Sequence, residues 1–154
     1  MIPTRSSDHA TFVIERRFGA SPARVFAAWS DPALKREWNA CHDDWRLEAH
    51  ELDFRVGGTE HNRVIEPDGT AHVMRAHFFD VVPNQRIVYA YEMLLEEVRI
   101  SVSLVTVTFA AARAGTTMTF TEQVVFFDGH GAADERREGT EVGLDRLAAL
   151  LAGA

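Results

Sequence analysis

Glu122 stands inside a β-rich run, TTMTFTEQVVFF (residues 116–127), where a plain strand calls for no carboxylate. On a regular strand it shares parity with Met118 and Phe120 and faces the same side as they do. A carboxylate on an apolar face must be paired, hydrated or protonated. Carboxyl groups buried in this way are also the ones that serve as general acids or bases. Three roles are therefore open to Glu122: a structural pair, by a salt bridge to Arg75 or a hydrogen bond to Ser103; an anchor for a ligand; or a proton-transfer group. His61 and His77 are the next candidates, since imidazoles exchange protons near neutral pH. With Glu122 they would make an acid–base set.

Other chemistry finds less support. Seven histidines invite a metal reading, but there is no His-Glu-x-x-His and no Cys/His cluster with ligand spacing. His72 and His77 differ by five and face opposite ways on a regular strand, so no metal site is expected. Cys41 is the sole cysteine, which rules out an intrachain disulfide, and as a nucleophile it would need a nearby base. Ser101 and Ser103 offer hydroxyls without a G-x-S-x-G elbow. Gly57-Gly58 and Gly129-x-Gly131 lack the context of a phosphate loop, and no cofactor is expected. Tyr89, Tyr91 and Trp38 either fill core volume or present polar tips to an apolar ligand.

The elements that must position these residues can be read from pattern. ATFVIERRF (residues 10–18) is a strand. Ser21-Pro22 starts a helix carrying Val25, Phe26 and Trp29, and Asp31-Pro32 starts a second short helix through Trp38. Strands are expected over 45–56, 59–66, 70–82 and 86–93. Gly57-Gly58 marks a bend, and Pro67-Asp68-Gly69 and Pro83-Asn84 mark turns. Two long strands, turned near Ala114-Gly115, follow from residue 98. A terminal helix spans about 133–151, with Thr140, Leu144, Leu147, Ala148 and Leu151 on one face. Gly139 and Gly143 lie one turn apart in it, either for close packing or to leave room for a ligand. Regular alternation would place Ser101, Ser103, Val105, Val107, Phe109, Met118, Phe120 and Glu122 on one concave face. Tyr89, Tyr91, His61, Arg75, His77 and Phe79 would join them there, with Trp38 capping one end.

At 154 residues the chain is expected to form one domain, with residues 1–8 frayed. It is 46% hydrophobic and 25% charged, too apolar for disorder. The formal charge of −7 disfavours nucleic acid or an anionic membrane as partner. No apolar run is long enough to span a bilayer, and the first dozen residues lack a signal-peptide core, so a cytoplasmic location is expected.

The order of strand, two short helices, about six antiparallel strands and a long helix resembles the START-like (SRPBCC, helix-grip) superfamily, and within it the AHSA-like branch. The resemblance rests on FVIERRFGASPARVFAAWSDPALKREW near the start, DFRVGG at 53–58, EPDG at 66–69 and VVPNQRIVYAYEM at 81–93. ISVSLVTV at 100–107, TEQVVFFDG at 121–129 and EGTEVGLDRLAALL at 138–151 complete it. It implies an α+β fold: a curved antiparallel sheet of about seven strands wrapped around the C-terminal helix, with an apolar pocket between them. The co-chaperones that give the branch its name carry a further domain, so a chaperone-activating role is not expected. Fold alone does not set function. The leading expectation is a protein that binds a hydrophobic or aromatic small molecule of lipid or polyketide type. Its site would draw on Trp38, His61, Arg75, His77, Tyr89, Tyr91, Ser101, Ser103, Glu122 and Gly143. The alternatives are a cyclase or hydrolase using Glu122 with His61 or His77, and an interaction module acting through its surface, a homodimer included.

Overall fold

The computed structural model describes residues 4–39 and 42–153, so the candidate Cys41 lies outside the described residues. Seven strands form one antiparallel sheet: β1 (Ser7–Phe18), β2 (Arg46–Leu52), β3 (Thr59–Ile65), β4 (Ala71–Val82), β5 (Arg86–Leu95), β6 (Val98–Ala112) and β7 (Gly115–Phe127). The spatial order is β1-β7-β6-β5-β4-β3-β2. Consecutive strands are hairpin neighbours except β1, which crosses over to pair with β7, in register from Ser7↔Phe127 to Phe18↔Thr116. Three helices fill the concave side: α1 (Pro22–Ser30), α2 (Pro32–Trp38) and the long α3 (Ala133–Ala152). This is the expected α+β helix-grip architecture. Among the described residues no helix is long and apolar enough to cross a membrane.

Local chemistry explains the helix boundaries. Ser21 Oγ accepts from the Arg24 amide at the start of α1. Asp31 serves two helices at once. Its N–H donates to Ala27 O and closes α1, while its Oδ1 accepts from the Ala33 and Leu34 amides and opens α2. An N-terminal cap of this kind contributes about 1 kcal/mol. Asp31→Ala is therefore expected to cost about that much in chemical denaturation, and Asp31→Asn to recover most of it. A similar loss in both variants would show that the carboxylate acts by charge rather than as an acceptor.

Strand alternation sets the core. On β6 and β7, Ser101, Ser103, Val105, Val107 and Phe109 face inward together with Met118, Phe120, Glu122, Val124 and Phe126. Phe26 sits edge-on to Phe54 and Phe109, and Trp29 packs on Trp38 and Phe120. On α3 the buried residues are Gly143, Leu144, Leu147 and Leu151. The helix lies against β1, α1 and α2, which leaves space between its first turns and the middle of the sheet.

Two expectations are corrected. The strand foreseen at 45–56 ends at Leu52, because residues 53–58 form a tight turn in which Asp53 N bonds Thr59 O and Gly58 N bonds Arg55 O. A Cβ at Gly58 would lie 2.0 Å from Asp53 O, so the second glycine is required by that close approach. The inward parity of β3 and β4 is also opposite to the expected one. Glu60, Asn62, Val64, Ala76 and Phe78 face in, whereas His61, Arg75, His77 and Phe79 are exposed. A tandem Phe78-Phe79 gives no parity signal of its own, and β4 carries a bulge against β5 between Phe78 and Asp80. Phe79 is left 62% exposed.

Candidate functional site

A cavity of about 490 Å³ occupies the space between α3, α2 and the concave sheet. Its wall is mainly apolar, and all three tryptophans of the chain, Trp29, Trp38 and Trp45, contribute to it. Trp38 is held by its Nε1–H, which donates to Ala28 O at 2.9 Å. Trp45 is flanked by the His42 and His72 rings, at 4.5 and 4.6 Å between centroids. His72 Nε2 also bonds Glu66 at 2.7 Å.

Two buried ionic clusters are built into this wall. The first surrounds Glu122, which is 1% exposed. Register brings its neighbours together: β7 pairs with β6, β6 with β5, and Glu122, Ser103 and Tyr91 all point inward from adjacent strands. Tyr91 Oη and Ser103 Oγ each donate to Glu122 Oε2 at 2.7 Å. Arg136, from the first turns of α3, completes the cluster. Its Nη1 donates to Tyr91 Oη at 2.9 Å and to Glu122 Oε2 at 3.3 Å, and its Nη2 donates to Ser101 Oγ at 2.7 Å. The guanidinium lies over the Phe126 ring. Burial opposes the charge on Arg136, but Tyr91 and Glu122 more than offset it and raise its pKa. Burial, then the Glu122 charge, pushes the Tyr91 phenol above its ordinary range and keeps it a donor.

The second cluster is centred on Glu60. Lys35 Nζ, from the only lysine in the chain, donates to Glu60 Oε1 at 2.6 Å, and His50 Nε2 meets Oε2 at 2.8 Å. Arg36 Nε, which can only donate, reaches His50 Nδ1 at 3.1 Å. The Nε2 nitrogen therefore carries the imidazole proton and donates it to Glu60. The ammonium of Lys35 also sits over the Trp29 and Tyr89 rings. Burial works against ionising Glu60, yet Lys35 and His50 together hold its carboxyl below the ordinary value.

Three buried polar atoms have no hydrogen-bond partner among the described residues: Glu122 Oε1, Trp29 Nε1 and Asn39 Nδ2. All three side chains line the same cavity. Such atoms are rare in native folds, because each costs about 1–3 kcal/mol when left unpaired. Here they mark the places where the wall is chemically incomplete.

The expected site residues divide cleanly. Tyr89, Tyr91, Glu122, Trp38 and Gly143 line the cavity, and Ser101 and Ser103 lie against the Glu122–Arg136 pair. His61, Arg75 and His77 are on the convex face, with Arg75 bound to Glu92 at 3.3 Å. Neither histidine reaches Glu122, so the acid–base set proposed for a cyclase or hydrolase is not assembled. The cation beside Glu122 is Arg136, not Arg75. Sequence reasoning missed Arg136, although it precedes Thr140, Gly143, Leu144 and Leu147 on the same helical stripe. It also missed Lys35, Glu60 and His50; for Glu60 alone the shared parity with Val64 on β3 was an available signal.

Comparison with known proteins places this geometry in a family. A family model described as activator of Hsp90 ATPase homolog 1-like protein matches residues 19–152. The solved structure of an uncharacterized protein from Rhizobium leguminosarum is 55% identical, covering 99% of this chain and 100% of that one with a TM-score of 0.95. A protein from Rhizobium loti is 43% identical, covering 94% of this chain and 99% of that one with a TM-score of 0.87. An AHSA1-like protein from Aeromonas hydrophila shares the fold at 22% identity, covering 94% of this chain and 93% of that one with a TM-score of 0.71. No curated protein matches the chain.

Proposed function

The chain belongs to the activator of Hsp90 ATPase homolog 1-like family, and we propose that it binds a hydrophobic or aromatic small molecule in the cavity between sheet and C-terminal helix. The observation that carries this reading is the pairing of an apolar, tryptophan-rich wall with three unpartnered polar atoms. Apolar surface supplies affinity, and a few fixed polar groups set orientation. A packed core has no need of either a void or orphan donors and acceptors.

The test is a thermal-unfolding screen against apolar and aromatic compounds. A ligand present at 100 times its Kd should stabilise the fold by about 2.7 kcal/mol. A panel of aromatic and lipid-like molecules that leaves the transition unmoved would count against binding.

Gly139 provides a control that acts on the cavity alone. It lines the void, and a Cβ built there meets no atom within 4 Å. Gly139→Ala is expected to stabilise α3 by up to about 1 kcal/mol, since alanine is the better helix former. Gly139→Phe should remain folded and lose ligand-induced stabilisation, because the ring occupies the ligand's space. Undiminished uptake by Gly139→Phe would place the ligand elsewhere.

A further inference from the structure

Resting on the binding role above, we infer that the ligand is a neutral ring compound whose orientation is fixed at two points. A hydroxyl or N–H of the ligand donates to Glu122 Oε1, and a carbonyl-type oxygen of the ligand accepts from Trp29 Nε1. The Glu122 carboxylate is asymmetric. Tyr91, Ser103 and Arg136 all converge on Oε2, while Oε1 accepts nothing from the described residues. The side chain is 1% exposed and lines the cavity, so the missing donor must come from a molecule inside the cavity, and a ligand hydroxyl or N–H would fill that place. Trp29, 2% exposed, presents the complementary case of a donor without an acceptor among the described residues.

Charge complementarity sets the rest. Each buried ion on the wall already has its counter-ion within the protein, Lys35 with Glu60 and Arg136 with Glu122. A ligand ion would enter with no unspent partner and would bear its full desolvation cost. Exposed Glu135 and Glu138 at the solvent side of the cavity add a field that repels anions. Flat aromatic walls favour rings over flexible chains, which would lose more conformational freedom on binding.

The polarity of the Glu122 point can be reversed. In Glu122→Gln the three donors at the Oε2 position require an acceptor there, so the amide oxygen takes that place. The NH₂ group then replaces Oε1, and an acceptor site becomes a donor site.

Calorimetric titration of the parent protein with naphthalene, 2-naphthol, 2-methoxynaphthalene, 2-acetylnaphthalene and 2-naphthoate tests the inference. We expect 2-naphthol to bind roughly tenfold or more tightly than 2-methoxynaphthalene, as a hydrogen bond to a charged group predicts. In Glu122→Gln that preference should disappear, because the amide NH₂ can donate to the oxygen of either probe. Trp29→Phe should weaken 2-acetylnaphthalene by roughly fivefold and keep the preference for 2-naphthol. The parent comparison decides the matter even if a variant fails to fold. Binding of all the neutral probes within twofold of one another would leave the binding role standing and overturn this inference. So would 2-naphthoate binding as tightly as 2-naphthol. No binding by any probe would overturn both.

Discussion

Lys35→Met is expected to destabilise the domain by about 3–5 kcal/mol, the cost of stranding a buried charge. That is a large share of the roughly 5–15 kcal/mol that holds a domain of this size together. The ammonium and the Glu60 carboxylate are 3% and 0% exposed, so loss of the cation leaves the carboxylate in a poorly solvated site. Glu60 would keep only the proton that His50 donates. The double variant Lys35→Met with Glu60→Gln removes both charges and retains an acceptor for His50 Nε2, so it should recover most of the loss. Urea denaturation at neutral pH measures both. A single variant within about 1 kcal/mol of the parent, or a double variant no better than the single, would show that the pair is not what braces α2 against the sheet.

The same cluster predicts a pH dependence with a definite sign. Glu60 has a folded pKa below its ordinary value of 4.5. The folded state therefore releases this proton more readily than the unfolded chain. Its contribution to stability is complete above the unfolded pKa, declines as pH falls below about that value, and is gone below the folded pKa. In the double variant this part of the acid sensitivity should vanish, and the denaturation midpoint should fall less steeply between pH 5 and acid conditions.

How much of this was legible in the sequence depended on which physical signal carried it. The β6–β7 hairpin announces itself through long alternation in a two-strand unit, and every residue foreseen on its inner face is buried there. Glu122 stood out because a carboxylate at an apolar parity violates the pattern around it. Asp31-Pro32 was readable because cap chemistry is local. The failures came where local pattern and tertiary placement part company. In β4 the run MRAHFF favours Met74, Ala76 and Phe78 inward, but Phe79 argues for the opposite phase, and a bulge between Phe78 and Asp80 shifts the pairing. The β4 error put Arg75 and His77 on the wrong face, and the same misreading of parity in β3 put His61 inward and removed Glu60 from consideration. The buried charges were missed for a related reason. Lys35, Arg136 and Glu60 are residue types usually found in solvent, and only the convergence of distant segments supplies the partners that let them be buried. Lys35 and Glu60 lie 25 residues apart, and Arg136 reaches strands 35 and 45 positions away. Their spacing along the chain carries no signal of that meeting.

Arg136→Met is expected to produce the second large effect, about 3 kcal/mol of destabilisation, and to concentrate it in one part of the molecule. One guanidinium ties the start of α3 to three strands at once: to Tyr91 on β5, Ser101 on β6 and Glu122 on β7. That end of the helix has little else to hold it. Its N-cap residue, Ala132, makes no side-chain capping bond, and its buried leucines begin only at Leu144. The cavity lies beneath the intervening turns, where Gly139 contributes no side chain. Loss of Arg136 should thus raise amide exchange over residues 133–140 while residues 144–151 keep their protection. Glu122→Gln in the same chain should restore part of the stability, because the amide oxygen still accepts from Tyr91 and Ser103 and no carboxylate is left unpaired. It should not restore protection at the start of α3, since the tether itself is gone. Uniform loss of protection along α3 would mean that Arg136 acts only through global stability. Unchanged protection over 133–140 would mean that the helix is held by its packing on β1, α1 and α2, and that the roof of the cavity is rigid without its arginine.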